Sequence, residues 1–160
     1  MCRDDNNLYW LNDVMHYKSV VEFFVKFSRF EYALKKNGYY IANNKGIIKE
    51  TNFNKFTKQY KNIDLPKELK DFLTYLDKEP VGKLKTSGDY LRIKENSKSD
   101  LVRLVSYLRR IRNNLFHGVK YPNLGKYEND GRGEHLINLG IKTIDFLVTI
   151  NDEIKITYKG

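Results

Sequence analysis

The chain has 160 residues, enough for one domain with a sizeable core, and its 29 Lys and Arg against 20 Asp and Glu give a net charge of +9. This charge favours a polyanionic partner such as nucleic acid, although a lysine-rich surface that only aids solubility has the same balance. The single cysteine, Cys2, excludes an internal disulfide, and no run of about 18 apolar residues could span a membrane. We therefore expect one soluble, cytoplasmic domain over residues 1–160.

The first part of the chain predicts one long helix, over residues 8–37, that stops at Gly38. Glu31 falls within the apolar stripe of this helix, where an acidic residue is unusual. The stripe consists of Val20, Phe23, Phe24, Phe27, Phe30 and Leu34. Residues 39–50 combine β-branched and aromatic residues with Asn and Gly turn signals, and they indicate a loop or a short extended pair.

Two shorter helices are predicted next, over residues 52–60 and 67–77, the second of them with Pro66 at its start. Residues 78–98 contain proline, glycines and several lysines. They predict a long basic loop with at most a short strand-like piece at 90–93. A long loop in a compact domain is typically functional or mobile.

The second half of the chain predicts two long helices, over residues 99–117 and 134–152, separated by a glycine-rich loop at 119–133. The last helix is apolar on two sides, which suits a central position in a bundle or a subunit interface. The tail after it is expected to pair as a strand or to hang free. Four main helices, one short helix and little sheet favour an all-α, antiparallel bundle of four to five helices.

The most unusual stretch, RRIRNNLFHG, closes the predicted helix 99–117. Arg112 lies about 40° from Leu108 around this helix, inside the apolar stripe. Arginine usually avoids that position because a desolvated guanidinium needs a partner. Considered singly, His117 at a helix end could simply complement the helix dipole, and Arg112 could extend its charged head to the surface.

The run from Arg112 to His117, RNNLFH, resembles the Arg-x(4–6)-His motif of HEPN domains, small helical proteins many of which cleave RNA. The polar residue after the arginine and the glycine after the histidine fit that motif too. The segment FSRFEYALKK, at residues 27–36, resembles the first helix of such proteins. The resemblance implies a helical bundle whose motifs meet across a homodimer interface. It also implies toxin, antiphage or RNA-processing roles, with an antitoxin protein as a partner of a toxin.

An arginine and a histidine at one helix end form a credible half-site of a minimal metal-independent ribonuclease. The ribose 2′-hydroxyl attacks the neighbouring phosphate, histidine transfers protons near neutral pH, and arginine stabilises the developing charge. Five residues of a regular helix span about 140°, so Arg112 and His117 would not share a face. Three solutions stay open: the helix distorts at Asn113 and Asn114, it ends there, or two chains form the site jointly.

Other residues complete the predicted site. Asn113 is expected to orient the phosphate or the catalytic pair. Arg103, Arg109, Arg110 and Lys120 are expected to follow an RNA backbone, although as a charge cluster alone they would equally form a solvated face.

Glu31 is expected to hold Arg112, because apolar stripes face each other in a bundle and a buried guanidinium needs a carboxylate. The alternative is that Glu31 lies at the edge of its stripe and pairs with Lys35, one turn further on. No metal or other cofactor is expected, because His16, His135 and Cys2 lack metal-ligand spacing.

These observations predict a metal-independent endoribonuclease of HEPN type, with Arg112 and His117 at a site composed by a homodimer. The first alternative is a non-catalytic RNA-binding or scaffolding HEPN-like domain that keeps the motif for dimer structure. The second is a helical protein-interaction module with no nucleic-acid role.

Overall fold

A computed structural model describes residues 6–116 and 132–160 of the chain. Over these two ranges it contains six helices and two two-stranded antiparallel sheets. The helices are α1 (Asn6–Lys36), α2 (Phe53–Gln59), α3 (Lys67–Lys78), α4 (Asp100–Phe116), α5 (Arg132–Leu147) and α6 (Asp152–Lys159). The strands are β1 (Tyr40–Ala42), β2 (Ile48–Thr51), β3 (Gly82–Leu84) and β4 (Tyr90–Arg92). The fold is therefore mostly helical, as expected, but it is not purely α.

The first hairpin, residues 40–51, is the short extended pair that the sequence indicated. Tyr40 faces Thr51 and Ile41 faces Glu50 in the antiparallel register. Asn43 organises the turn, since its side-chain oxygen accepts hydrogen bonds from the backbone N–H groups of Lys45 and Ile47, both at 3.0 Å. Such Asx turns give the chain a local alternative to helix.

The second hairpin, residues 82–92, corrects the prediction of a long loop over residues 78–98. β3 and β4 pair with Gly82 opposite Arg92, and Gly88 takes a positive φ of 85° in the turn between them. Only the strand-like piece at 90–93 was apparent from the sequence, because β3 is short and begins with a glycine.

The tail of the chain is a helix, so the prediction of a strand or a free end was wrong. α5 ends at Leu147, and Asn151 then caps α6 by accepting hydrogen bonds from the N–H groups of Glu153 and Ile154 at 2.9 and 3.1 Å. α6 packs on α1, where Ile154 is fully buried and Arg29 donates to the Tyr158 carbonyl at 2.9 and 2.6 Å.

The core lies between α1, α4 and α5, with α2 and α3 closing its sides. α1 and α5 approach each other closely at Gly140, where a Cβ would be 2.7 Å from the Phe23 ring. Phe23 is itself fully buried beside Phe24 and Phe27. Among the described helices, none is long and apolar enough to cross a membrane.

Candidate functional site

Glu31 on α1 and Arg112 on α4 form the ion pair that the sequence predicted. Glu31 Oε2 lies 3.9 Å from Arg112 Nη2, at the outer limit of a direct ion pair. The two side chains are 22% and 35% exposed, so the pair lies at the edge of the apolar stripes and not deep within the core. The expectation that Arg112 is buried is thereby corrected, whereas its pairing with Glu31 is confirmed.

Further contacts fix the orientation of this pair. Arg112 Nη1 donates to Asn113 Oδ1 at 3.0 Å, and the guanidinium lies 5.7 Å from the centre of the Phe27 ring. Thr51, at the end of β2, donates its hydroxyl to Glu31 Oε1 at 3.2 Å. The first hairpin, α1 and α4 therefore meet at one polar point.

A groove of about 300 Å³ opens beside the pair. Two of its lining residues are the aromatic Phe27 and Phe53. Its charged lining residues are Glu31, Lys35, Lys49, Glu50, Arg109 and Arg112. Four cationic side chains thus face two acidic ones in a small volume, and one of those acids is engaged by Arg112. A surplus of positive charge in a concave site attracts anions.

Arg109 contributes to this groove as an exposed side chain. Its guanidinium lies 4.8 Å from the centre of the Phe53 ring, a cation–π geometry that holds the charge at the surface. This arrangement is compatible with the backbone-contacting role predicted for Arg109.

Arg110 has a different environment from the one expected. It is only 6% exposed, and it lies under the second hairpin. Nη1 donates to the Val81 carbonyl at 3.1 Å and to the Ile93 carbonyl, while Nη2 donates to the Glu95 carboxylate. The expectation that Arg110 contacts RNA is corrected, because its guanidinium is buried and both Nη atoms are engaged in internal hydrogen bonds.

Arg110 belongs to a row of polar residues on α4 whose side chains form hydrogen bonds with the segment from Asp77 to Ser97. We call it the polar seam; it consists of Arg103, Tyr107, Arg110 and Asn114. The Tyr107 hydroxyl donates to Asp77 at 3.1 Å and accepts from the Glu95 N–H at 3.0 Å. Burial raises the pKa of the Tyr107 hydroxyl, and the adjacent Asp77 carboxylate raises it further.

The other two members of the polar seam extend it along the helix. Arg103, which was expected to follow an RNA backbone, instead donates to the Ser97 carbonyl at 2.9 Å and to Asp100 Oδ1 at 2.9 Å. Asn114 donates to the Gly82 carbonyl at 3.0 Å. Sequence reasoning missed the seam because it searched for apolar stripes. The four residues nevertheless recur at helical spacing, so they lie on one face of α4. That periodicity could have predicted a polar contact surface on this helix.

Two predicted site residues, His117 and Lys120, lie outside the described residues, as do residues 119–131 of the loop predicted over 119–133. Arg132 and Gly133, the last two residues of that predicted loop, belong to α5. The last described residue of α4 is Phe116, which immediately precedes His117 in the sequence. Over the described ranges, no group of three or more His, Cys, Asp or Glu could hold a metal ion. His135 is exposed on α5, and the edge of its ring meets Tyr75 at 5.4 Å between centroids.

Comparison of the chain with protein-family models, with curated proteins and with solved structures gave no match.

Proposed function

We propose that the protein is a metal-independent endoribonuclease of HEPN type, with a HEPN-like antiparallel helical bundle as its fold. The observation that carries the proposal is the Glu31–Arg112–Asn113 arrangement at the edge of a cationic groove, near the end of the helix that leads to His117. An oriented arginine beside a cationic groove suits phosphoryl-transfer chemistry, because it can stabilise the charge on the phosphate oxygens.

In the proposed reaction, the ribose 2′-oxygen forms a bond to the adjacent phosphorus while the bond from phosphorus to the 5′-oxygen breaks. A histidine side chain, His117, accepts the proton of the 2′-hydroxyl, and a second His117 donates a proton to the leaving 5′-oxygen. Arg112 stabilises the negative charge on the phosphate oxygens. The products are a 2′,3′-cyclic phosphate and a 5′-hydroxyl.

Glu31 and Asn113 are positioning residues in this proposal. Each contacts the Arg112 guanidinium, and together they orient it beside the groove that Arg112 lines. A homodimer would supply the two histidines, and the biological setting that goes with this chemistry is a cytoplasmic toxin or antiphage nuclease, with an antitoxin protein as a further partner.

The alternative is an RNA-binding protein that does not cleave. The same groove favours it, because a surplus of cationic side chains binds a phosphodiester backbone whether or not a proton is transferred. The two functions differ only in the presence of cleavage.

The decisive experiment incubates the purified protein with total RNA and an excess of chelator, beside the His117→Ala and Arg112→Ala variants. We expect cleavage by the wild type alone, with 2′,3′-cyclic phosphate ends on the products. RNA binding without cleavage by any of the three proteins would favour the non-catalytic alternative. Cleavage that disappears with the chelator and returns with a divalent ion would contradict the proposed chemistry.

A further inference from the structure

We infer that the groove binds single-stranded RNA through its backbone, with Lys35 and Lys49 holding phosphates next to the one at Arg112. This inference rests on the proposed function, whose substrate class it narrows, and it adds two residues that the motif does not include. Lys35 comes from the last turn of α1, and Lys49 from β2 of the first hairpin.

The positions of the two lysines support this assignment. Like most lysines in the described parts of the chain, Lys35 and Lys49 have no carboxylate within ion-pair distance. Unlike the others, both line the groove that Arg109 and Arg112 also line. Side chains from three separate elements therefore gather positive charge at one place, and a polyanion would relieve their mutual repulsion.

The aromatic residues of the groove favour recognition of the backbone over recognition of bases. Phe27 and Phe53 are 2% and 6% exposed, and the guanidinium groups of Arg112 and Arg109 lie over their rings. Neither ring offers a free face on which a base could stack, as the aromatic residues of sequence-reading RNA-binding modules do. We therefore expect binding with little sequence preference.

The size of the groove favours one strand over two. A volume of about 300 Å³ is at the lower end of the range for small-molecule pockets. Residues of α1, α2, α4 and the first hairpin line this small groove, so a single flexible strand can enter, whereas an A-form duplex presents its phosphates on a broad, stiff surface. The preferred substrate is accordingly a single-stranded segment or a loop.

The test measures binding separately from cleavage. A labelled single-stranded RNA with 2′-O-methyl groups at every position cannot react, and its fluorescence anisotropy reports the Kd for the full chain at several salt concentrations. We expect Lys35→Gln and Lys49→Gln each to weaken binding several-fold. Each should also reduce the slope of log K against log salt by about 0.7, the value for one phosphate contact on a single strand.

Lys45→Gln is the matched control, because Lys45 belongs to the same hairpin but does not line the groove. It should leave both the Kd and the salt slope near the wild-type values. An equal loss with Lys45→Gln, or no loss with the two groove variants, would overturn the inference by making the binding a diffuse charge effect. Duplex RNA bound as tightly as the single strand, or effective competition by a free mononucleotide, would overturn it as well.

A parallel assay with unmodified RNA keeps the two proposals distinguishable. Groove-dependent binding without cleavage would reject the nuclease and leave the groove assignment intact. Cleavage that is unchanged in Lys35→Gln and Lys49→Gln, together with unchanged binding, would reject the groove assignment and leave the nuclease intact.

Discussion

Three arginines within four residues of α4 occupy three different environments. Arg109 is exposed over a phenyl ring, Arg110 is enclosed beneath the second hairpin, and Arg112 lies at the rim of the groove. Arg110 and Arg112 are about 160° apart around the helix axis, so they serve opposite sides of it. Identical side chains in one short stretch therefore serve different purposes. Arg110 contributes to stability, whereas Arg109 and Arg112 line the candidate site.

Replacing Arg110 should lower stability more than replacing its neighbour. Arg110→Met leaves the Glu95 carboxylate and two carbonyls without their donor, so we expect the free energy of unfolding to fall by about 3 kcal/mol. Arg109→Met removes only an exposed cation–π contact and should cost less than about 1 kcal/mol. Urea denaturation of the two variants measures the difference, and equal losses would contradict the structural role of Arg110.

Replacing Glu31 should affect catalysis more than folding. The ion pair with Arg112 is partly exposed and long, so Glu31→Gln should reduce the free energy of unfolding by less than about 1 kcal/mol. Cleavage should fall by roughly tenfold or more, as is common when a residue that orients a functional group is lost. Binding of the non-reactive RNA should change little. A parallel loss of binding and cleavage would show instead that Glu31 acts only through the local structure.

At this scale the sequence revealed the Glu31–Arg112 pair because each residue interrupts an apolar stripe, and opposite charges in facing stripes tend to meet. It did not reveal that Arg110, and not Arg112, is the buried arginine. The burial of Arg110 depends on the second hairpin, a contact between segments whose pairing no local pattern specified.

Among the elements, the end of α1, both ends of α2 and α3 and the beginning of α4 lie within a few residues of their predicted positions. The apolar residues of these helices recur at helical spacing, and capping residues or Pro66 mark several ends. α6 was missed because Ile154, Ile156 and Thr157 are β-branched residues that favour strands. The cap Asn151, followed by two acidic residues, was the signal of a helix start.

The crossing of α5 over α1 gives a prediction at the scale of elements. Gly140→Ala should raise the intrinsic helix preference of α5 by about 1 kcal/mol. The added Cβ would nevertheless be 2.7 Å from the buried Phe23 ring and 3.5 Å from Leu108. We expect the overpacking to dominate and the free energy of unfolding to fall by about 1–3 kcal/mol.

A second variant shows whether the steric contact causes that loss. Phe23→Leu removes the ring that the new methyl group would strike, so adding Gly140→Ala to it should cost much less than the same change does in the wild type. Thermal melts of the two single variants and the double variant give the coupling. Simple additivity of the two losses would argue against the close approach of α1 and α5.

At the scale of the whole molecule, the amino-acid sequence raises the question whether the candidate site is formed by two chains. The resemblance to HEPN domains and the offset of about 140° between Arg112 and His117 both motivate a dimer. A composite site has a clear signature, because it can be rebuilt from two chains that are each inactive.

Mixing the Arg112→Ala and His117→Ala variants should restore part of the cleavage activity. In a heterodimer of the two variants, one composite site would combine the Arg112 of the His117→Ala chain with the His117 of the Arg112→Ala chain. We expect this site to cleave RNA. Light scattering coupled to size-exclusion chromatography checks that the mixture contains dimers. A mixture that forms dimers and stays inactive would indicate that each chain carries its own complete site.

The first hairpin also has a consequence for how copies of the protein behave together in solution. No third strand pairs with β1 or β2 in the described part of the chain, so both strands have an open edge, and Tyr40, Ile41, Ile47 and Ile48 are exposed on this hairpin. Such an edge can pair with another copy, and lysines on it oppose the pairing by electrostatic repulsion. Lys49 would then keep copies dispersed, and a polyanion bound at Lys49 would cancel that repulsion. We expect turbidity to rise when RNA is added up to charge balance, to clear in excess RNA or at high salt, and to appear at lower protein concentration in Lys49→Gln without any RNA.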